Sequence, residues 1–408
     1  VKFKFSPSPK PSSIIAEQWN SWTWQLQKSL KTQGQFSEYF ELTESEKKSF
    51  EQGSEVFNIR TTPYYASLCG PHPEDPIRKI LMPREEELSP GSQQMLDPLG
   101  EKKNNPAPRI IHRYPDRVLF LVTDICSVYC RYCTRKHFTG QDQAFIREND
   151  YQQALQYLQS HSGIREVILS GGDPLTLSDS QLERVLSDLR DIEHLEIIRI
   201  GTRIPVVCPM RINDSFSAML RKYAPVYLMT HFNHPKELTA ESAEALRSLV
   251  DHGVPVFNQM VLLNGVNNHP AIIQALSRRL LFLRVKPYYM FQCDPSIGTD
   301  HLRTSLEDSL QIQRELWGNL SGLAMPNLSL DIPDGGGKAG YTPNFEIERT
   351  SDKIVFQGWD GVEAEYINPK PESIVKPIDA ADYLSEWEQL KAAKTISAAS
   401  ESAPDARI

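Results

Sequence analysis

Three cysteines, Cys126, Cys130 and Cys133, fall within eight residues in CxxxCxxC spacing, inside the stretch 124–135. A cubane iron–sulfur cluster normally takes a thiolate on every iron. A loop that offers only three leaves one iron open to bind something other than protein, which suits chemistry better than electron storage. The same residue types also fit zinc, since His137 lies four residues past Cys133 and would complete a Cys3His set. A disulfide is disfavoured, because there is no apolar signal segment and closely spaced cysteines in an intracellular-type chain serve metals or catalysis. On spacing alone the cluster is the favoured reading and zinc its competitor. The isolated Cys69, Cys208 and Cys293 read as structural thiols.

A second chemical signal lies 200 residues downstream, where Asp334 precedes Gly335, Gly336, Gly337 and Lys338. The loop has two readings. One is a flexible solvated turn. The other is a ligand site, in which glycine lets the backbone come close while the lysine amine forms a Schiff base, as lysines do with pyridoxal phosphate. A phosphorylated cofactor needs fixed cations, and Arg113 and Arg117, flanking Tyr114, supply two guanidinium forks and a phenol. Alone, those arginines read as surface charge. Ser170, Gly171, Gly172 and Asp173 alone read as an ordinary βα turn.

The elements that must position these groups emerge from the hydrophobic pattern. With 408 residues the chain can hold one large α/β domain with appendages, or two modest domains. Hydrophobic residues make up 40%, and no stretch approaches the roughly 20 apolar residues of a membrane span. The formal charge of −8 argues against a chain-wide nucleic-acid footprint and favours small-molecule partners in a cytoplasmic setting. Apolar runs occupy 118–123, 166–170, 195–201, 225–230, 254–263 and 284–290, and after the first they recur at about the length of a βα unit. Between them the spacing turns helical. Leu182, Val185, Leu186 and Leu189 follow a Ser178/Asp179 cap, and Ala243, Leu246 and Val250 lie between a Thr239 N-cap and a Gly253 stop.

Six near-continuous apolar strands alternating with helices predict a buried parallel sheet, either doubly wound or a full or partial barrel. Chemically capable residues follow the ends of several strands: the cysteines, Gly171 to Asp173, Thr202 with Arg203, His231, and 292–294, with Gln259 inside the fifth run. That distribution favours a barrel mouth over a single switch crevice. The expected organisation is an N-terminal helical docking region over 1–108, a core over 109–320, a site-completing segment over 321–375 with strands at 328–332 and 354–356, and a tail over 376–408 that starts helical (381–393) and ends disordered.

With the cysteines after the first strand, an aromatic Tyr132 before the last of them and the Ser-Gly-Gly-Asp turn after the second, the chain resembles the radical S-adenosylmethionine superfamily. Adding His112 to Arg117, Thr230 to Pro235, Pro287 with two tyrosines, Gln292-Cys293-Asp294 and the Gly-Gly-Gly-Lys loop, it resembles the lysine 2,3-aminomutase family over roughly 19–365. The resemblance implies an α/β fold with a partial (β/α)6 TIM-like barrel. It implies a [4Fe-4S] cluster on Cys126, Cys130 and Cys133, S-adenosylmethionine and pyridoxal phosphate. It implies further that Lys338 carries the pyridoxal group, that Arg113, Tyr114 and Arg117 bind its phosphate, and that Tyr132, Ser170, Gly171, Gly172, Asp173, His231 and Gln259 surround S-adenosylmethionine. Arg135 would take the substrate carboxylate, and Asp294 and Asp331 its ε-ammonium. Partners implied are a small amino acid, an electron donor such as flavodoxin or ferredoxin, and further copies of the chain.

The implied reaction interconverts L-lysine and β-lysine. Paired acids in a cofactor pocket call for a cation, because two like charges otherwise raise one another's pKa. Three departures from the family pattern stand out. No cysteine follows Cys293, so a C-terminal zinc cluster found in clostridial members is missing; Asp334 stands where many members have glycine; and Phe291 replaces a common tyrosine. The last two raise arginine as another substrate, with glutamate as the acidic alternative. A radical methyl- or methylthiotransferase acting on RNA would keep the cysteines but have no use for Lys338, and a zinc-stabilised binding module would need neither cofactor.

Overall fold

The computed structural model describes residues 3–6, 9–53, 58–88, 94–137, 139, 144–351, 353–367, 369–370, 373–385 and 388. Its centre is a nine-stranded sheet in sequential order: β1 (Ile110–Tyr114), β2 (Arg117–Thr123), β3 (Glu166–Gly171), β4 (Ile197–Gly201), β5 (Val226–Thr230), β6 (Val256–Leu262), β7 (Lys286–Gln292), β8 (Asn327–Ile332) and β9 (Gly337–Gly340). From β2 to β8 every neighbouring pair is parallel, and β1 and β9 close the two edges as antiparallel hairpins. Helices Glu148–Ser160, Asp179–Arg190, Asp214–Lys222, Ala240–Asp251, Pro270–Phe282 and Leu306–Leu316 connect the parallel strands. The α/β, barrel-like parallel fold read from the sequence is therefore present. The sheet continues beyond six units, however: the run at 328–332 pairs with β7 as a seventh parallel strand rather than standing apart.

Alternation along each strand separates packing from chemistry, because successive side chains point to opposite faces. On β2, Val118, Phe120 and Val122 are buried in the hydrophobic core, whereas Arg117 and Leu119 line an internal cavity. Ile168 and Ser170 on β3, and Gln259 and Val261 on β6, face the same cavity. Within that lining, Glu166 pairs with Arg199, which donates from Nε at 2.8 Å. The helices bury their apolar stripes, with Leu182, Val185, Leu186 and Leu189 all fully covered. Ser178 and Thr239 each accept a hydrogen bond from the third residue of the helix they start, and Gly253, at φ +80°, follows the end of the second.

Although β1 and β8–β9 lie near opposite edges of the sheet order, they meet through side chains: Arg113 of β1 donates to Asp331 of β8 at 2.9 Å. The sheet thus curls nearly shut. The N-terminal helices pack on the core, with Trp19, Phe36, Phe50, Tyr64 and Tyr65 buried in the shared cluster. Thr62 donates to the Val207 carbonyl at 2.6 Å, and Tyr65 to Glu237 at 2.7 Å. After the core sheet come three antiparallel strands, β10 (Glu346–Arg349), β11 (Lys353–Gln357) and β12 (Glu363–Ile367). Most of the helix expected over 381–393, and all of the tail end, lie outside the described residues. Among the described residues no helix is long and apolar enough to cross a membrane.

Candidate active site

The cysteine loop leaves the C-terminal end of β2 and is held there by backbone. Gly172 N donates to the Thr123 carbonyl at 2.7 Å and Asp173 N to that of Ile125 at 2.8 Å. Such closeness requires glycine. Gly171 has φ +123° and a Cβ on it would stand 2.1 Å from the Thr123 oxygen; at Gly172 the gap to the Ile125 oxygen would be 2.3 Å. The turn after β3 therefore braces the chain that carries Cys126.

Cys126, Cys130 and Cys133 line one cavity of about 610 Å3. Burial, reinforced by the neighbouring thiols, pushes the Cys133 thiol up to about 11 and that of Cys126 well above its usual range. A positively charged metal centre is what draws protons from such thiols. Among the described residues no three His, Cys, Asp or Glu side chains converge as a single ion requires. His137 Nε2 lies instead 3.3 Å from the Ile297 carbonyl. Three thiols lining one cavity suit a cluster that leaves one iron open.

Around them stand the other groups singled out in the sequence. Tyr132 accepts a hydrogen bond from Asn233 at 2.8 Å. His231, following β5, has its pKa pushed down to about 4 by burial and by Arg203, so its ring is neutral at physiological pH. Gln259 projects from β6. Asp173 is already engaged on both oxygens, accepting from Thr202 at 2.6 Å, Leu175 N at 3.0 Å and Arg203 N at 2.7 Å, and burial raises its pKa against those bonds. Its side chain ties β3 to β4.

Near the edges of the sheet, the phenol of Tyr114 lies between two cations. The guanidinium carbon of Arg117 is 3.9 Å from its ring centroid and that of Arg113 5.1 Å. Its oxygen accepts from Lys338 N at 2.8 Å, and Gly337, at φ +89°, is where a Cβ would come within 3.4 Å of that oxygen. The antiparallel β8–β9 register sets Lys338 directly opposite Asp331. Lys338 Nζ donates to both Asp331 oxygens at 3.1 and 2.8 Å and lies 4.8 Å from the Phe291 ring centroid. Asp294 faces the same pair, and burial followed by Asp331 raises its pKa to about 7. Two arginines beside a phenol, a lysine and a close-approach glycine form a cradle suited to a phosphorylated aldehyde.

Arg135 also lines the cavity, donating from Nη1 to Ser170 at 2.9 Å and through Nε and Nη2 to Glu101. Thus every residue named from the sequence for cluster, cofactors or substrate contributes to one cavity. Asp334 does not. It is exposed, outside the lining, and at φ +59°, so the acid expected near the cofactor loop sits on its outer side in a conformation where glycine is usual.

Two neighbours of the site were given no role by the sequence, and one of them, Glu101, escaped it altogether. Arg203 was visible only as a polar residue after a strand; it donates to Cys130 Sγ at 2.9 Å and to Glu237 and Tyr65 at 2.7 and 2.8 Å. Glu101 lies in a polar loop that carries no local signal.

Comparison with known proteins identifies the family. Residues 120–274 match the family model of the radical SAM superfamily, and residues 313–399 match that of lysine-2,3-aminomutase. L-lysine 2,3-aminomutase of Clostridium subterminale is 43% identical over 352 residues, covering 86% of this chain and 85% of that protein. The Bacillus subtilis (strain 168) protein of the same name is 43% identical over 89% of this chain and 77% of its own length. Glutamate 2,3-aminomutase of Clostridioides difficile (strain 630) is 42% identical, covering 85% of this chain and 82% of that protein. With its three-cysteine loop and its glycine–lysine hairpin opening on one cavity, the chain belongs to the lysine 2,3-aminomutase family of radical S-adenosylmethionine enzymes.

Proposed function

We propose that this enzyme interconverts L-lysine and β-lysine (3,6-diaminohexanoate) by moving an amino group between adjacent carbons. The observation that carries the reading is the pair Asp294 and Asp331, set in a cavity that also holds Arg135 and Lys338. The Lys338 ammonium donates to Asp331. A substrate ε-ammonium arriving there replaces one cation by another, so the acids stay compensated while Lys338 is freed for its covalent role. A glutamate side chain would instead bring a third carboxylate to Asp294 and Asp331, which disfavours that substrate despite the equally similar glutamate relative.

Cys126, Cys130 and Cys133 hold the [4Fe-4S] cluster; Tyr132, Ser170, Gly171, Gly172, Asp173, His231 and Gln259 surround S-adenosylmethionine, with Asp173 acting through the turn it stabilises. Arg113, Tyr114 and Arg117 take the phosphate of pyridoxal phosphate, Lys338 its carbonyl carbon, and Arg135 the substrate carboxylate. When bound, these cofactors supply a carbon radical able to remove an unreactive hydrogen and a conjugated system that lets nitrogen migrate. The chain aims that chemistry by fixing carboxylate and ammonium at once. An electron donor of the flavodoxin or ferredoxin class, a homo-oligomeric state and a cytoplasmic setting complete the proposal.

The test is anaerobic reconstitution with iron, sulfide and pyridoxal phosphate, followed by turnover with S-adenosylmethionine, a reductant and L-lysine. β-Lysine is the expected product by chromatography. Absence of any β-amino acid from lysine, arginine or glutamate contradicts the reading.

A further inference from the structure

Arg135 meets the cavity with part of its fork already taken. A guanidinium has five N–H donors. Nε donates to both Glu101 oxygens at 3.0 and 2.9 Å, Nη2 donates to Oε1, and Nη1 donates to Ser170 Oγ at 2.9 Å. One N–H on each of Nη1 and Nη2 remains beyond these bonds, so the terminal edge, away from Glu101, is the side left to a substrate carboxylate. The lateral edge belongs to Glu101.

Glu101 is in turn fixed by its loop. Its backbone N–H donates to Asp97 Oδ1 at 2.9 Å, and Lys102 N donates to Oδ2 at 2.9 Å. The same loop touches the pyridoxal cradle: Arg113 Nη1 donates to the Leu99 carbonyl at 3.0 Å, and a Cβ on Gly100 would stand 3.0 Å from Gly335. One short segment therefore braces Arg135 and Arg113 and packs against the lysine loop.

We infer that Glu101 is a positioning residue for substrate: its carboxylate clamps the lateral edge of Arg135 and thereby presents the terminal edge to the α-carboxylate of the amino acid. The inference rests on the aminomutase reading in assigning the substrate carboxylate to Arg135. Its rival is that Glu101 occupies the substrate's own place and must be displaced. The two predict opposite signs, since a clamp aids binding and a competitor opposes it.

The experiment uses the reconstituted holoenzyme and measures L-lysine Kd from the change in the pyridoxal absorbance band, alongside KM and kcat. Glu101→Gln is expected to weaken Kd and raise KM about tenfold, the scale of one charge-assisted hydrogen bond, with a smaller fall in kcat. Glu101→Asp, which keeps the charge, is expected to recover part of the loss. In an Arg135→Lys background, Glu101→Gln is expected to add little, because the two act as a unit. An unchanged Kd, a tighter Kd or full additivity with Arg135→Lys overturns the inference. A wild-type enzyme that binds lysine but rearranges no amino acid overturns the aminomutase reading instead, and the Kd comparison still decides the clamp.

Discussion

The cysteine loop after β2 is locked by backbone, whereas the Lys338 side chain, carried on a strand whose own backbone pairs with β8, is held by side-chain contacts. Gly171 and Gly172 bring main chain against main chain, with no room for a methyl group between them. The Lys338 ammonium, by contrast, rests on a carboxylate that another cation is able to occupy. The difference follows the chemistry each loop serves. A cluster needs three sulfurs in constant geometry, while a lysine that exchanges its covalent partner must leave and return. The two loops are built near opposite ends of one sheet order, and curling brings them to one cavity.

The sharpest way to break the comparison is to disable each loop alone. Cys130→Ala is expected to abolish turnover and cluster iron while the pyridoxal band persists, and Lys338→Ala to abolish turnover and that band while iron stays bound. Iron analysis and absorbance spectra check both, and loss of both cofactors from either variant would show the loops to be one folding unit. Next in size, Gly171→Ala forces a Cβ into the Thr123 oxygen at positive φ and is expected to destabilise the fold by about 3 kcal/mol, lowering the thermal midpoint and the iron stoichiometry.

A third effect concerns pH. Asp294 has a folded pKa near 7, above its ordinary 3.8, so between those values the folded protein holds a proton that the unfolded chain has released. Stability of the ligand-free protein should therefore fall as pH rises from about 4 to 7, and less steeply in Asp294→Asn. Lysine binding, which wants the carboxylate, should strengthen by up to about tenfold per unit as pH approaches 7 from below. Denaturant melts and lysine titrations across that range measure both. The smallest effect is at Asp334. Because it sits outside the cavity at φ +59°, Asp334→Gly should change stability by less than about 1 kcal/mol and leave lysine KM alone.

These contrasts also mark what was legible from the residues. Strand positions, the Ser178 and Thr239 caps and the cysteine loop depend on local periodicity and spacing, so they could be read directly. β8 was placed apart because a short mixed run carries no sign of which neighbour it pairs with; only the curled sheet settles that. Glu101 was missed, and Arg203 was singled out at a strand end without a role, because their partners, Arg135 and Cys130, are 34 and 73 residues away, and no period connects them. Asp334 looked chemical because it is an acid beside a lysine loop, yet its backbone angle, which sequence does not display, explains the position better.

The central claim is that one substrate spans the cavity, its carboxylate on Arg135 and its side-chain ammonium on Asp294 and Asp331. Norleucine keeps the four side-chain carbons of lysine and carries hydrogen in place of the ε-ammonium, so the direct measurement is anaerobic kcat/KM for the two amino acids in wild type and in Asp331→Asn. The account predicts a preference for lysine of at least about 100-fold in wild type, narrowed to roughly tenfold or less in the variant. Equal turnover of norleucine and lysine by the wild-type enzyme, or a preference untouched in Asp331→Asn, would contradict it.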